Sequence, residues 1–344
     1  MTITSDRPAP PAGRRLRVFL RNQLRNIAPV IVLVMMVAFF SATSTSFLTV
    51  ANFMNILSQI SLTAIIAVGL TFVILTAEID LSVAAVANAV GIMVAYLTLQ
   101  PDYVNIANLP VHGVLAIGLT LLTALAIGLT TAFGLTVIGI PSFIMTLAVM
   151  QIANGLSALL VRGQIAYNFP DAVTFLGSGS VLGVRTTILV AAAFLLAAHL
   201  ALTYTRFGRY VYMVGGNREA AEYSGVNVRL ILAAVMVIGA MCSGVAGMLG
   251  VAYFGSAQQN QFDTYLLDAI AAVVVGGTSL FGGRGGIGNT IIGLLVLGVL
   301  NNGLDHIQID SFLKILIRGL ILLAALIVNV YAQTLRDERE ASDG

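Results

Sequence analysis

A chain of 344 residues that is 58% hydrophobic and only 9% charged, with a mean hydropathy of +0.96, is unlike a soluble domain, where about a quarter of residues carry charge. The formal net charge of +2 offers no basic surface for nucleic acid and argues against such a partner. The single cysteine, Cys242, lies in an apolar run, so the chain has neither an intrachain disulfide nor a cysteine-based metal cluster.

Residues 1–27 form a basic N-terminal segment. Its proline-rich start is followed by Arg14, Arg17, Arg21 and Arg25 at helical spacing, beside an apolar stripe of Leu16, Leu20, Leu24 and Ile27. This pattern suits a helix lying on an anionic membrane surface, and equally a basic flank that only sets topology. No small-x-small site closely follows a short apolar core, so the segment does not read as a cleavable signal peptide.

The apolar runs that follow are continuous rather than alternating. A backbone in hydrocarbon must satisfy its own hydrogen bonds, so these runs predict helices and an all-α polytopic membrane protein. About ten spans are expected within 28–331, near 28–47, 56–76, 81–99, 113–136, 141–161, 186–205, 230–254, 266–281, 287–303 and 311–331. Residues 332–344 read as a cytoplasmic C-terminal tail. The spans are rich in small residues, which let helices approach closely in a lipid-embedded bundle. The two halves are loosely alike, a pattern compatible with an inverted repeat.

The loops alternate in charge. Arg7, Arg14, Arg15, Arg17, Arg21 and Arg25 fall on one side with Arg206, Arg209, Arg218, Arg229, Arg284, Arg336 and Arg339, whereas the other side holds Arg162 and Arg185. The positive-inside rule then places both termini in the cytoplasm, together with a polar island at 206–229. Six of the 24 island residues are charged, and its centre predicts a very short helix. Asn217 is suited to capping its start, Glu219 and Glu222 to the dipole of its first turns, and Gly225 to ending it. So short a helix does not hold itself together in water, which suggests that another protein docks there.

Other polar residues are candidates for chemistry. Glu78 and Asp80, between the second and third spans, read either as a turn with Asp80 capping the next helix or as the coupling carboxylates of an ion-driven secondary transporter. Gly283 to Gly288 matches G-x-G-x-x-G but joins two membrane spans and lacks the βαβ setting of a dinucleotide site. His112, His199 and His306 are scattered without ligand spacing, so neither a metal site nor an intramembrane enzyme can be assembled. Asn88, Gln151, Asn154, Asn301 and Asn302 lie within spans. Their amides suit contact with a neutral polyhydroxyl solute along a pathway, or hydrogen bonds between helices. Lys314 and Arg318, four apart on one helix face, are expected to snorkel or to pair with Asp305 or Asp310.

Four blocks carry a resemblance. They are Ile79-Asp-Leu-Ser-Val83; Ile140-Pro-Ser-Phe-Ile-Met-Thr-Leu147; the run from Thr205 to Ala221 with Ser224-Gly-Val226; and the run from Asp268 to Gly285. Over about residues 50–333 the chain resembles the permease subunits of bacterial ATP-binding-cassette importers of the ribose/xylose type. The resemblance implies a type II importer-like bundle in the bacterial inner membrane. It also implies a second permease subunit (the same chain or a different one), an ATPase subunit pair below and a periplasmic binding protein above. ATP and magnesium would then reside on the ATPase, with no cofactor in this chain. The family's coupling element carries over to Asn217, Arg218, Glu219, Ala220, Ala221 and Gly225, and its structural motifs to Asp80, Ser82, Asp268, Gly276 and Gly277. In one block the chain departs from the usual pattern, with Ala77, Glu78 and Ala84 where the family carries glycine.

Overall fold

The computed structural model describes residues 29–99, 111 and 113–343, with side chains through residue 327. The N-terminal segment 1–27 with its arginine stripe, and His112, lie outside the described residues. The described chain is helical: α1 Pro29–Thr43, α2 Val50–Leu75, α3 Val83–Thr98, α4 Gly113–Phe133, α5 Ser142–Val161, α6 Asp171–Ser178 and α7 Thr186–Tyr204 come first. They are followed by α8 Arg206–Gly216, α9 Arg218–Tyr223, α10 Val228–Phe254, α11 Asp263–Val275, α12 Ile287–His306 and α13 Ser311–Asp343. The end of α4 widens into a π-helical turn, Gly134–Ile138. Two short antiparallel pairs, Ala166–Tyr167 with Ser256–Ala257 and Ser180–Val181 with Val184–Arg185, tie loops together.

Six of these helices are long and apolar enough to cross a membrane: α2, α4 with its π turn, α5, α7, α10 and α12. Ten such helices were expected from the sequence. The stretch expected at 81–99 is the 16-residue α3, and that expected at 266–281 is the 13-residue α11. At 1.5 Å per residue α11 rises only about 20 Å. Alpha3 is buried on almost every side by protein, so lipid does not dictate its length. Alpha11 stops at Gly276–Gly277, where the chain turns back toward α12. The helix expected at 311–331 runs on without a break to Asp343, so no element boundary separates span from tail.

Two helices form the interior. Alpha2 is buried continuously from Ser61 to Thr76, and α10 packs against α2, α3 and α4. Close approach is made possible by small residues. A Cβ on Gly69 would stand 2.9 Å from the Gly239 Cα, and one on Gly247 would stand 2.1 Å from the Ala87 carbonyl oxygen. In lipid, where apolar burial adds little between helices, such contact supplies the packing energy. The outer helices differ: the apolar windows of α4, α5 and α7 are 28% buried, against 78% for α2. Leu122, Leu129, Ile152, Leu159 and Leu196 face outward from them.

Candidate functional site

The end of α2 is where the four sequence blocks meet. Alpha2 closes in a Schellman motif: the Ala77 amide donates to the Ile74 carbonyl at 3.0 Å, and the Glu78 amide to the Val73 carbonyl at 3.2 Å. This geometry requires a left-handed residue, and Ala77 holds it with φ +60°. Glycine adopts that conformation freely, whereas alanine does so at a cost of about 1 kcal/mol. The departure from glycine at 77 therefore leaves the turn in the form that glycine would favour. The same closure recurs in α9 with Gly225 (φ +79°) and in α11 with Gly277 (φ +102°).

Beyond the turn, Asp80 is buried, and its Oδ1 accepts from the Ser82 amide at 2.8 Å and the Ser82 hydroxyl at 2.6 Å. Asp80 thus binds the residue preceding α3 rather than the amides of its first turn. The second block docks onto the first. The Ile79 amide donates to the Ser142 hydroxyl at 3.3 Å and the Leu81 amide to the Thr146 hydroxyl at 3.2 Å, so α5 satisfies the exposed backbone of 79–81.

The third and fourth blocks close over α2. A Cβ on Gly215 would lie 1.8 Å from the Leu75 carbonyl oxygen, and one on Gly283 would lie 2.8 Å from the Gly216 Cα. The Gly283 amide donates to that Leu75 carbonyl at 2.9 Å, and the Tyr212 hydroxyl donates to the Gly285 carbonyl at 2.9 Å. The glycine run that imitates a nucleotide motif is thus a backbone-packing device. Gly276 belongs to the same junction: a Cβ there would lie 1.9 Å from the Asn289 carbonyl oxygen, and the Asn289 side-chain amide donates to the Gly276 carbonyl at 2.9 Å.

On this platform sits α9. Asn217 caps it, its side-chain oxygen accepting from the Ala220 amide at 2.9 Å. Arg218 forms an ion pair with the nearly buried Glu78, Ala221 is buried, and Glu219, Ala220, Glu222 and Tyr223 face outward. The sequence reading missed three features here. Residues 206–216 form their own amphipathic helix, α8. Glu78 and Arg218, 140 residues apart, meet. Tyr223 is 90% exposed. The alternation of Phe207, Val211 and Val214 among polar residues was a signal for α8.

The residues considered for a pathway are not brought to one place. The buried Asn88 amide donates to Asp263 Oδ1 at 3.0 Å while its oxygen accepts from the Phe262 amide at 3.0 Å, so it clamps the start of α11. Asn302 Oδ1 accepts from Asn52 Nδ2 at 2.8 Å, and Asn52 Oδ1 lies 3.1 Å from Nε2 of the half-buried His306, so a histidine with no ligand spacing belongs to an interhelical network with Asn52. Asn301 accepts from Arg318 Nε at 2.7 Å. Gln151 is exposed and Asn154 half-buried on α5. Arg318 pairs with Asp268 at 3.3 Å and Lys314 with Asp305, whereas Asp310 accepts instead from the Phe312 amide at 2.8 Å. Among the described residues no group of three or more His, Cys, Asp or Glu side chains is placed to hold a metal ion.

The sequence profile of the family described as "Branched-chain amino acid transport system / permease component" matches residues 52–326. The chain is 37% identical over 322 residues to the ribose import permease protein of Escherichia coli strain K12, covering 92% of this chain and 97% of the relative. It is 33% identical over 315 residues to the ribose import permease protein of Bacillus subtilis strain 168, covering 91% and 95%. It is also 33% identical over 303 residues to the D-allose transport system permease protein of E. coli, covering 87% and 89%. No solved structure matches the chain.

Proposed function

Since the chain belongs to the family of branched-chain amino acid transport system permease components, a family of transport subunits and not of enzymes, we propose that it is the multi-pass inner-membrane subunit of an ATP-driven importer for a sugar or sugar-like solute. The observation that carries the reading is the convergence of all four sequence blocks beneath one short, capped, outward-facing helix. In this reading a partner ATPase grips Glu219, Ala220, Glu222 and Tyr223 on α9. ATP and magnesium belong to that partner. Displacement of α9 passes through Arg218–Glu78 and the Gly215–Leu75 contact into α2, and through the 276–286 loop into α12. The bundle then alternates access between its two sides. Both termini and α9 lie on the cytoplasmic side, and a periplasmic binding protein delivers the solute to the other. A second permease subunit covers part of the exposed faces of α4, α5 and α7.

The test is Glu219→Arg in the assembled transporter, with ATPase co-purification and ATP-driven uptake as readouts. Both are expected to fall. Normal values for both would overturn the reading. Gradient-driven uptake by this chain alone would instead favour a secondary transporter, although the two carboxylates suited to one are engaged, Glu78 by Arg218 and Asp80 by Ser82.

A further inference from the structure

At the end of the bundle opposite α9, a cavity of about 310 Å³ opens between α2, α10, α11, α12 and α13. Its depth follows from α12: Ile287 starts beside the loop under α8, and Asn301, in the cavity wall, lies 14 residues along, about 21 Å away. The volume falls at the lower end of the about 300–1,000 Å³ typical of small-ligand sites, which suits one sugar ring. Ionisable residues within membrane-embedded segments are expensive and are held where they serve a pathway. Here they come in opposite pairs: Asp268 with Arg318, both in the wall, and Asp305 of the wall with Lys314, which lies outside it, so each wall carboxylate is neutralised by a partner. Gln59, Thr63, Thr264 and Asn301 add groups that both donate and accept, as vicinal hydroxyls require, and Tyr253 and Phe254 add an aromatic wall for the C–H face of a ring.

We propose that this cavity is a binding station for a neutral polyhydroxyl solute of monosaccharide size, with Arg318, held by Asp268 and Asn301, as its central donor. The inference rests on the permease reading and assigns the substrate class to a particular place in the fold. A charged solute would have to compete with one member of a pair already satisfied, whereas a hydroxyl can share both.

Cys242 is buried, so a cysteine introduced at the cavity is the accessible thiol among the described residues. Thr264→Cys, and separately Gln59→Cys, would be prepared in the complete importer, with ATPase co-purification certifying assembly. A membrane-impermeant thiol reagent is then applied with and without D-ribose, D-allose or D-galactose. The expected result is labelling of both variants, slowed about tenfold by one of these sugars at ten times its half-saturating concentration, as simple occupancy requires. An equal concentration of a charged solute such as gluconate should leave the rate unchanged. Failure to label, equal rates with every sugar, or equal protection by gluconate would overturn the proposal. The outcomes are separable: ATP-driven uptake by the unsubstituted importer without protection sinks the cavity alone, whereas absence of such uptake sinks the importer reading.

Discussion

The two ends of the bundle are built by different means. Beneath α9 the contacts are mostly backbone on backbone: Gly215 against the Leu75 carbonyl, the Gly283 amide donating to it, and Schellman closures at Ala77, Gly225 and Gly277. At the opposite end, side chains from distant segments meet: Asn88 with Asp263, Asn52 with Asn302, and Arg318 with both Asp268 and Asn301. The first kind of contact tolerates almost no added volume, which suits a joint that must transmit displacement. The second kind, where it lines the cavity at Arg318, Asp268 and Asn301, can exchange partners with a hydroxylated solute, which suits a pathway.

The sharpest way to break this contrast is Gly215→Val. Its Cβ cannot coexist with a carbonyl oxygen 1.8 Å away, so α8 must separate from α2. Overpacking of this kind costs about 1–3 kcal/mol or more, and ATP-driven uptake is expected to be lost while the chain still inserts in the membrane. Retained uptake would mean that the joint is not rigid. At the other end, Asn88→Leu strands the buried Phe262 amide and should lower stability by about 1–3 kcal/mol, read as an earlier thermal transition in detergent. An unchanged transition would mean that α11 is held by other contacts.

Ala77→Gly works in the opposite direction. Relief of the left-handed alanine should stabilise the α2 turn by about 1 kcal/mol, visible as a later transition. The smallest effect is expected from the ion pair between the half-exposed Arg218 and the nearly buried Glu78. Arg218→Glu should cost about 0.5 kcal/mol, roughly a twofold loss of coupled uptake, and adding Glu78→Arg should restore it. Absence of rescue would show that the pair does not carry force between α9 and α2.

Much of the α9 end was legible because its determinants are local. Asn217 caps three residues ahead and Gly225 stops a helix in its own turn, so sequence spacing and structure report the same event. The apolar face of α8 is spread over Phe207, Val211 and Val214 within a charged segment, so it does not stand out as an apolar run in the sequence. The pathway asparagines stand out in the sequence by their place within spans, but span position does not reveal which way an amide points. Asn88 and Asn302 turned out to be clamped to other segments, while Arg318 and Asp268 share a cavity.

The sequence by itself determined that this is an all-helical membrane protein with a short capped helix in a charged island. Hydropathy and capping act over one span or one turn, and need no knowledge of neighbours. Tertiary structure alone decided that α3 and α11 fall short of spanning length, that a glycine run resembling a nucleotide motif is a packing seam, that Glu78 meets Arg218, and that a charge-balanced cavity lies opposite α9. Those outcomes depend on the depth and rotation of each helix against the others, set by close packing of small residues between elements far apart in the chain.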